Sequence, residues 1–153
     1  MPEFHGSASG RIAARPQEVF DLITDIDRLP EWNARIDHVV ARPDELSDGA
    51  EWVVQMHVPG MPRWESRSTL VELDRDALRL VHRSQTDDGN PSYGIWTWTV
   101  TPVDGAAELT IRWDAYPQTF WRRVLFSRIR RRQLESEVRT SLDAANSFVA
   151  SHM

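Results

Sequence analysis

Residues 93–115 read YGIWTWTVTPVDGAAELTIRWDA, and this stretch decides the fold. On either side of Asp104–Gly105, apolar and polar side chains alternate along the chain. Alternation with a period of two predicts β-strands, and Asp-Gly between two such runs predicts a tight hairpin. We therefore expect two antiparallel strands, 93–103 and 108–115, joined by that turn.

Tryptophans recur on one face of these two predicted strands. Trp96 and Trp98 share a face, and Trp113 lies on the apolar face of the next strand. A solid small core is usually filled by Leu, Val and Ile, whereas indole is large and carries an N–H that needs a partner when it is buried. Several indoles on one face therefore predict the wall of a cavity. The alternative is that they form solid core or cover the outside of the sheet.

The rest of the chain extends this pattern in both directions. We expect a strand at 7–14, a helix from Pro16, a short helix or turn at about 27–32, and strands at 36–42, 51–58, 64–73 and 77–85. No Gly or Pro follows Gln118, which favours a long final helix. Strands joined by short turns predict an antiparallel meander, with one face covered by that helix.

The two halves of the predicted final helix carry different patterns of apolar side chains. Its second half carries one apolar stripe, Leu134, Val138, Leu142, Ala145 and Val149. In residues 118–132, by contrast, apolar side chains point to opposite sides, and six arginines are spread among them. We expect this segment to form a flap or a kinked entrance to the cavity. The alternatives are contact with a second copy in a homodimer and transient contact with an anionic membrane.

Composition excludes several classes of protein. The 153 residues carry a net charge of −5 and include neither cysteine nor lysine. The negative charge argues against a general nucleic-acid partner, and the missing lysine excludes a Schiff base. Histidines are scattered without metal-ligand spacing, so we expect no metal and no cofactor. We see no signal peptide and no transmembrane run, and we expect one cytoplasmic domain over residues 1–153.

Three stretches of the sequence resemble a known superfamily. They are residues 12–33 (IAARPQEVF and TDIDRLPEWN, joined by DLI), 68–74 (STLVELD) and 93–102 (YGIWTWTVTP). With the order of elements, they resemble the START-related superfamily, also called SRPBCC, and within it the polyketide cyclase/dehydrase and lipid-transport group. The resemblance covers almost the whole chain. It implies an α+β helix-grip fold, in which a curved seven-stranded antiparallel sheet wraps around a long C-terminal helix, with two short helices between strands 1 and 2.

The resemblance also implies a deep cavity between sheet and helix. Together with the tryptophans, this predicts binding or carriage of a hydrophobic small molecule such as a lipid, an isoprenoid or a polyketide-like aromatic. One alternative is an enzyme of the aromatase/cyclase or dehydratase kind acting on a polyketide-like substrate. Another is an interaction module with a closed cavity. The predicted lining comprises Trp52, Val54, Met56, Trp64, Ser66, Ser68, Leu80, His82, Tyr93, Trp96, Trp98, Leu109, Ile111, Trp113, Phe120 and Val124.

A few residues have two open interpretations. His82 and Tyr93 are the candidate proton donors if the protein is an enzyme. A hydrogen-bonded structural histidine and a tyrosine at the cavity rim are the competing interpretations. Arg112 and Asp114 share a strand face and are expected to form a surface ion pair rather than an acid/base pair. Trp32 matches the family's packing anchor, and the strand of Trp64 is a candidate for a bulge.

Overall fold

The computed structural model describes residues 4–33, 35–86, 90–118 and 131–152. Seven strands and three helices run through these residues. In chain order the elements are β1 (Phe4–Ile12), α1 (Pro16–Thr24), a 3₁₀ turn (Ile26–Arg28), α2 (Leu29–Trp32), β2 (Ile36–Ala41), β3 (Glu51–Met56), β4 (Trp64–Asp74), β5 (Arg79–Thr86), β6 (Tyr93–Val103), β7 (Ala106–Tyr116) and α3 (Arg131–His152).

The seven strands form one antiparallel sheet. Their order across the sheet is β1-β7-β6-β5-β4-β3-β2, so the strands from β2 to β7 form a meander and β1 returns to pair with β7. The helices α1 and α2 carry the chain from β1 at one edge to β2 at the other edge. This arrangement confirms the predicted helix-grip fold with two short helices between the first two strands.

The hairpin between β6 and β7 turns at the predicted dipeptide. Asp104 has φ of 28° and Gly105 has φ of 78°, which is the left-handed region that a two-residue hairpin turn requires. Because the turn is so short, β7 begins at Ala106 rather than at Glu108, where the sequence pattern predicted its start. β6 spans Tyr93–Val103, as predicted.

The turn between β4 and β5 shifts the predicted start of β5 from Ala77 to Arg79. Leu78 has φ of 55°, which no strand residue adopts. Ahead of it, the carboxylate of Asp74 accepts hydrogen bonds from the backbone N–H groups of Asp76 (3.1 Å) and Ala77 (2.9 Å). Asp74 therefore holds the turn in place by its side chain.

β4 also contains the irregularity that the sequence suggested. Its pairing with β5 shifts register between Leu70 and Glu72. Before the shift, Ser66, Ser68 and Leu70 alternate on one face, and Leu70 is buried. The bulge thus lies beyond the serines and leaves them on the same side of the sheet.

Helix α3 covers that side of the sheet. The predicted apolar stripe is buried at Val138, Leu142, Ala145 and Val149, while the side chain of Leu134 lies outside the described residues. Gly10 of β1 allows a close approach, because a Cβ at that position would already touch the Cβ of Leu142 at 3.4 Å. Within the described ranges, no helix is both long and apolar enough to cross a membrane.

Polar contacts fix the helix on the edge of the sheet. The side-chain oxygen of Asn146 accepts a hydrogen bond from the backbone N–H of Ala13 (3.2 Å). The guanidinium of Arg139 donates to the carbonyl of Ser9 (3.0 Å). These contacts tie α3 to β1 and to the residues after it, so the helix has a defined place above the sheet.

Candidate functional site

A cavity of about 560 Å³ lies between the sheet and the helices. Strands β2 to β7 supply its floor and walls, and α1, the 3₁₀ turn and α2 supply one side. Val138 and Ser141 of α3 close over it. Its volume falls in the range of pockets that bury a small organic molecule. The lining is mainly apolar and aromatic, with a smaller set of hydroxyl, amide and charged side chains.

The cavity exists because one row of residues across the sheet is small. Strand pairing places Ser68, Ser84, Gly94 and Ala115 side by side on β4, β5, β6 and β7. The neighbouring row holds much larger side chains, Leu70, His82, Trp96 and Trp113. Under the helices, the row of small residues leaves space, and the row of large residues forms its wall.

Trp96 turns towards this row of small residues. Its indole Nε1 would lie 3.6 Å from a Cβ placed on Gly94, which is an ordinary van der Waals contact. The same Nε1 donates a hydrogen bond to Oγ of Ser84 (3.3 Å). Ser84 therefore satisfies the partly buried N–H of the ring.

The indoles pack against one another along the wall. The ring of Trp96 lies 6.5 Å from that of Trp98 and 6.2 Å from that of Trp113, both tilted. Trp32 meets Trp98 edge-on at 5.8 Å and is 1% exposed, and it does not line the cavity. Trp32 thus acts as the packing anchor behind the wall, in agreement with the role that the resemblance implied.

His82 is held by Trp98. The indole Nε1 of Trp98 donates to Nε2 of His82 (3.0 Å), so Nε2 is an acceptor and the imidazole proton resides on Nδ1. Nδ1 is shielded from solvent and has no hydrogen-bond partner among the described residues. Burial lowers the pKa of His82 from 6.5 to about 3, which leaves the ring neutral at pH 7.

This geometry favours the structural interpretation of His82. A general acid must hold a proton that it can give up near neutral pH, and its donor must reach the substrate. His82 is uncharged there, one nitrogen is occupied by Trp98, and the other is covered. The ring lies 5.2 Å from that of Trp52 and contributes an apolar surface to the cavity.

Tyr93 borders the cavity, but its ring is engaged elsewhere. It stacks on Tyr116 with centroids 4.7 Å apart, and the guanidinium of Arg83 lies 3.9 Å from its centroid. Tyr116 and Arg83 do not line the cavity. Since the strand alternates and Gly94 faces the cavity, the ring of Tyr93 belongs to the other side of the sheet. That placement does not support a role as proton donor inside the cavity.

Of the remaining charged candidates, Arg112 lies outside the cavity, whereas Asp114 is among the residues that line it. Arg112 donates two hydrogen bonds to the carboxylate of Asp114 (3.1 and 3.2 Å), and the Arg112 side chain is exposed. The predicted surface ion pair is thus confirmed. In the described part of the chain, no group of three or more His, Asp or Glu side chains is placed to hold a metal ion.

The structure brings most of the predicted lining residues together at the cavity. Those that line it are Trp52, Val54, Met56, Trp64, Ser66, Ser68, Leu80, His82, Tyr93, Trp96, Trp98, Ile111 and Trp113. Leu109 is fully buried and belongs to the core instead, because its position lies beyond the end of the cavity on β7. Phe120 and Val124, with the rest of 119–130, lie outside the described residues.

Sequence patterns missed the side of the cavity that the helices and loops provide. Apolar lining comes from Ile23, Ile26, Leu29, Met61 and Pro62, and polar lining comes from Asn33, Arg35, Arg63, Ser92 and Ser141. Ile23 could be assigned to a buried helix face, but not to a cavity, because helical periodicity does not indicate what the face covers. Ser84 could have been found, since it alternates with His82 on β5.

The fold and its cavity define a helix-grip protein with an internal ligand-sized space. The family described as polyketide cyclase / dehydrase and lipid transport matches residues 3–146. The chain belongs to this family. A search of curated protein sequences finds no match.

Solved structures with the same fold are distant in sequence. TTHA0849 from Thermus thermophilus is 16% identical with a TM-score of 0.77, covering 98% of this chain and 100% of that one. The Zhui aromatase/cyclase from Streptomyces sp. R1128 is 15% identical with a TM-score of 0.72, covering 95% of each chain. Ara h 8.0201 is 11% identical with a TM-score of 0.75, covering 97% and 99%. At such identities the likeness concerns the fold.

Proposed function

We propose that this protein binds or carries a hydrophobic small molecule in the cavity between the sheet and α3. The observation that carries the proposal is the row of small residues beneath the helices, which leaves a space of about 560 Å³ walled by indoles. Burying apolar and aromatic ligand surface in such a space is favourable. Membership of a family that includes lipid transport supports the same conclusion.

An enzyme of the aromatase/cyclase kind is the second candidate, supported by the cyclase part of the family description. Neither His82 nor Tyr93 supports it, since His82 is neutral and covered and Tyr93 stacks away from the cavity. A carrier should return its ligand unchanged, whereas an enzyme should convert it. Mass spectrometry of the ligand before and after incubation separates the two.

The binding test is a cavity-filling substitution with a matched control on the same strand. Ser66 lines the cavity, whereas the neighbouring Glu65 is exposed and lies outside the lining. Ser66→Phe should weaken binding of palmitate, farnesol or emodin by at least about tenfold, because the new ring occupies ligand space. Glu65→Phe should leave the affinity unchanged. Tryptophan fluorescence quenching measures both, and equal affinities in the two variants would contradict the proposal.

The segment 118–132 is proposed to act as a flap or entrance to the cavity, with contact to an anionic membrane or a second copy as the alternatives. Vesicle sedimentation separates the first two. Unchanged sedimentation of Arg130/Arg131/Arg132→Glu with phosphatidylglycerol vesicles at moderate salt is the expected result for a flap. A loss of sedimentation on this charge reversal would instead support membrane contact.

A further inference from the structure

The two edge strands of the sheet differ in regularity. β2, at one edge, pairs with β3 through two register shifts, between Ile36 and His38 and between Val39 and Ala41. β1, at the other edge, pairs with β7 over all nine of its residues without a shift. Bulges protect an edge strand from further pairing, whereas a regular edge presents a row of backbone donors and acceptors. β1 is therefore the edge that another strand can extend.

The turn between β6 and β7 determines which backbone groups β1 presents at this edge. In a two-residue hairpin the residues that flank the turn, here Val103 and Ala106, exchange both backbone hydrogen bonds. Since bonding alternates along an antiparallel strand, even-numbered residues of β7 bond to β6 and odd-numbered residues bond to β1. Their partners on β1 are even-numbered, as in the pair of Trp113 and Gly6. The odd-numbered residues of β1 therefore direct their N–H and C=O groups away from the sheet.

Helix α3 already occupies part of this row of outward groups. Arg139 donates a hydrogen bond to the carbonyl of Ser9 (3.0 Å), and Asn146 accepts one from the N–H of Ala13, just beyond β1 (3.2 Å). The outward N–H and C=O groups of His5 and Ser7 have no such partner among the described residues. Residues 5–7 thus form an open edge next to an edge that the helix has closed.

The open edge is complementary to a second copy of itself. When two β1 strands lie antiparallel about a two-fold axis at Gly6, His5 of each copy faces Ser7 of the other. Each of these two pairs exchanges two backbone hydrogen bonds, so four form in total. An axis at Ser7 would instead require the carbonyl of Ser9, which already accepts from Arg139. The axis at Gly6 uses only groups that the fold leaves free.

The charges beside the open edge favour the same axis. On the outer face of the sheet, β7 places Asp114 beside His5 and Arg112 beside Ser7. A two-fold axis at Gly6 brings Asp114 of one copy into the same row across the strands as Arg112 of the other. An axis at Ser7 would align the two copies of Arg112 instead. Opposite charges in one row stabilise a sheet, whereas like charges destabilise it.

We infer that β1 is the interface of a homodimer, in which the sheets of two copies join edge to edge about Gly6 into one continuous sheet. A two-fold axis and a self-complementary patch are the features of the commonest kind of protein dimer. Within the described part of the chain, the lining of the cavity includes no residue of β1, so the two cavities stay separate. The dimer does not depend on which ligand, if any, the cavity binds.

Sedimentation equilibrium of the full chain tests the dimer from micromolar to millimolar concentration. The mass should rise from 17.7 kDa towards twice that value. Ser7→Pro removes the outward N–H without breaking a bond to β7, and an edge strand tolerates proline at such a position. Because both copies carry the change, two hydrogen bonds are lost and the dimer dissociation constant should rise at least about tenfold. Ser7→Ala, the matched control, keeps the N–H and should dimerise like the wild type.

Amide hydrogen exchange by nuclear magnetic resonance gives a second readout that needs no substitution. Raising the concentration until most chains are dimeric should slow exchange at His5 and Ser7 at least about tenfold. The amide of Arg11, which also faces outward but lies beyond the proposed pairing, should exchange at an unchanged rate.

A chain that stays monomeric at every concentration would overturn the inference, as would a folded Ser7→Pro variant that dimerises as tightly as the wild type. If Ser7→Pro does not fold, exchange rates at His5 and Ser7 that do not depend on concentration overturn it instead. Neither result touches the proposed function, which is measured by ligand affinity.

Discussion

Gly6→Ala is expected to destabilise the protein by about 2–3 kcal/mol, a large effect for one added methyl group. A Cβ on Gly6 would lie 2.7 Å from Cε2 of Trp113 and closer still to its Cζ2. Trp113 pairs with Gly6 across β1 and β7, is 3% exposed and is backed by Trp96. A rigid ring packed against Trp96 cannot move away from β1 without disturbing the cavity wall. Urea unfolding at pH 7 measures the loss.

The matched control is Gly10→Ala on the same strand and face. A Cβ there lies 3.4 Å from the nearest atom of Leu142, which is a tolerable contact, so the change should stay within about 1 kcal/mol. In a Trp113→Phe background, Gly6→Ala should cost less than in the wild type, because the smaller ring leaves room. Equal costs at Gly6 and Gly10 would show that Trp113 does not press against β1.

Acidification from pH 7 to pH 4.5 is expected to cost about 2–3 kcal/mol of stability through His82 alone. Burial lowers the pKa of His82 in the folded protein from 6.5 to about 3. Between these values the unfolded chain binds a proton on His82 and the folded protein does not. The stability is therefore fully present above about pH 6.5 and is lost as the pH falls, by about 1.4 kcal/mol per unit.

His82→Gln removes the titrating group and should flatten this part of the profile. The exposed His57→Gln variant should follow the wild type. The measurement is the free energy of unfolding in urea at half-unit steps from pH 7 to pH 4.5, compared between variants so that shared carboxylate effects cancel. Parallel profiles for wild type and His82→Gln would show that His82 titrates normally in the folded protein.

The fold could be predicted from the sequence wherever the turn residues and the hydrophobic periodicity indicated the same element. Three local patterns predicted a geometry that the structure shows. They are the Asp104–Gly105 turn, the alternation of Trp96 and Trp98, and the apolar stripe that ends at Val149. The start of β5 was wrong because the positive φ of Leu78 is imposed by the Asp74 turn. Leucine itself gives no sign of such a conformation.

Only part of the candidate site could be predicted from the sequence. Alternation assigned the correct face to Trp52, Ser68 and His82, since side-chain direction is a local property of a strand. The Asp104–Gly105 turn sets Gly94 opposite Ala115, but alternation could not show that Ser84 joins this row, because the register of β5 on β6 depends on the longer loop that joins them. The hydrogen bond from Trp98 to His82 depends on the same register between β5 and β6.

The row of small residues separates two tasks within one sheet. The large side chains of the adjacent row, such as Trp113, bury the apolar area that stabilises the fold, whereas Ser68, Ser84 and Gly94 mainly set the shape and polarity of the space above them. Substitutions at Ser68, Ser84 or Gly94 can therefore change which molecule fits the cavity while leaving most of the stabilising contacts unchanged. The protein is built so that its ligand preference can evolve more freely than its architecture.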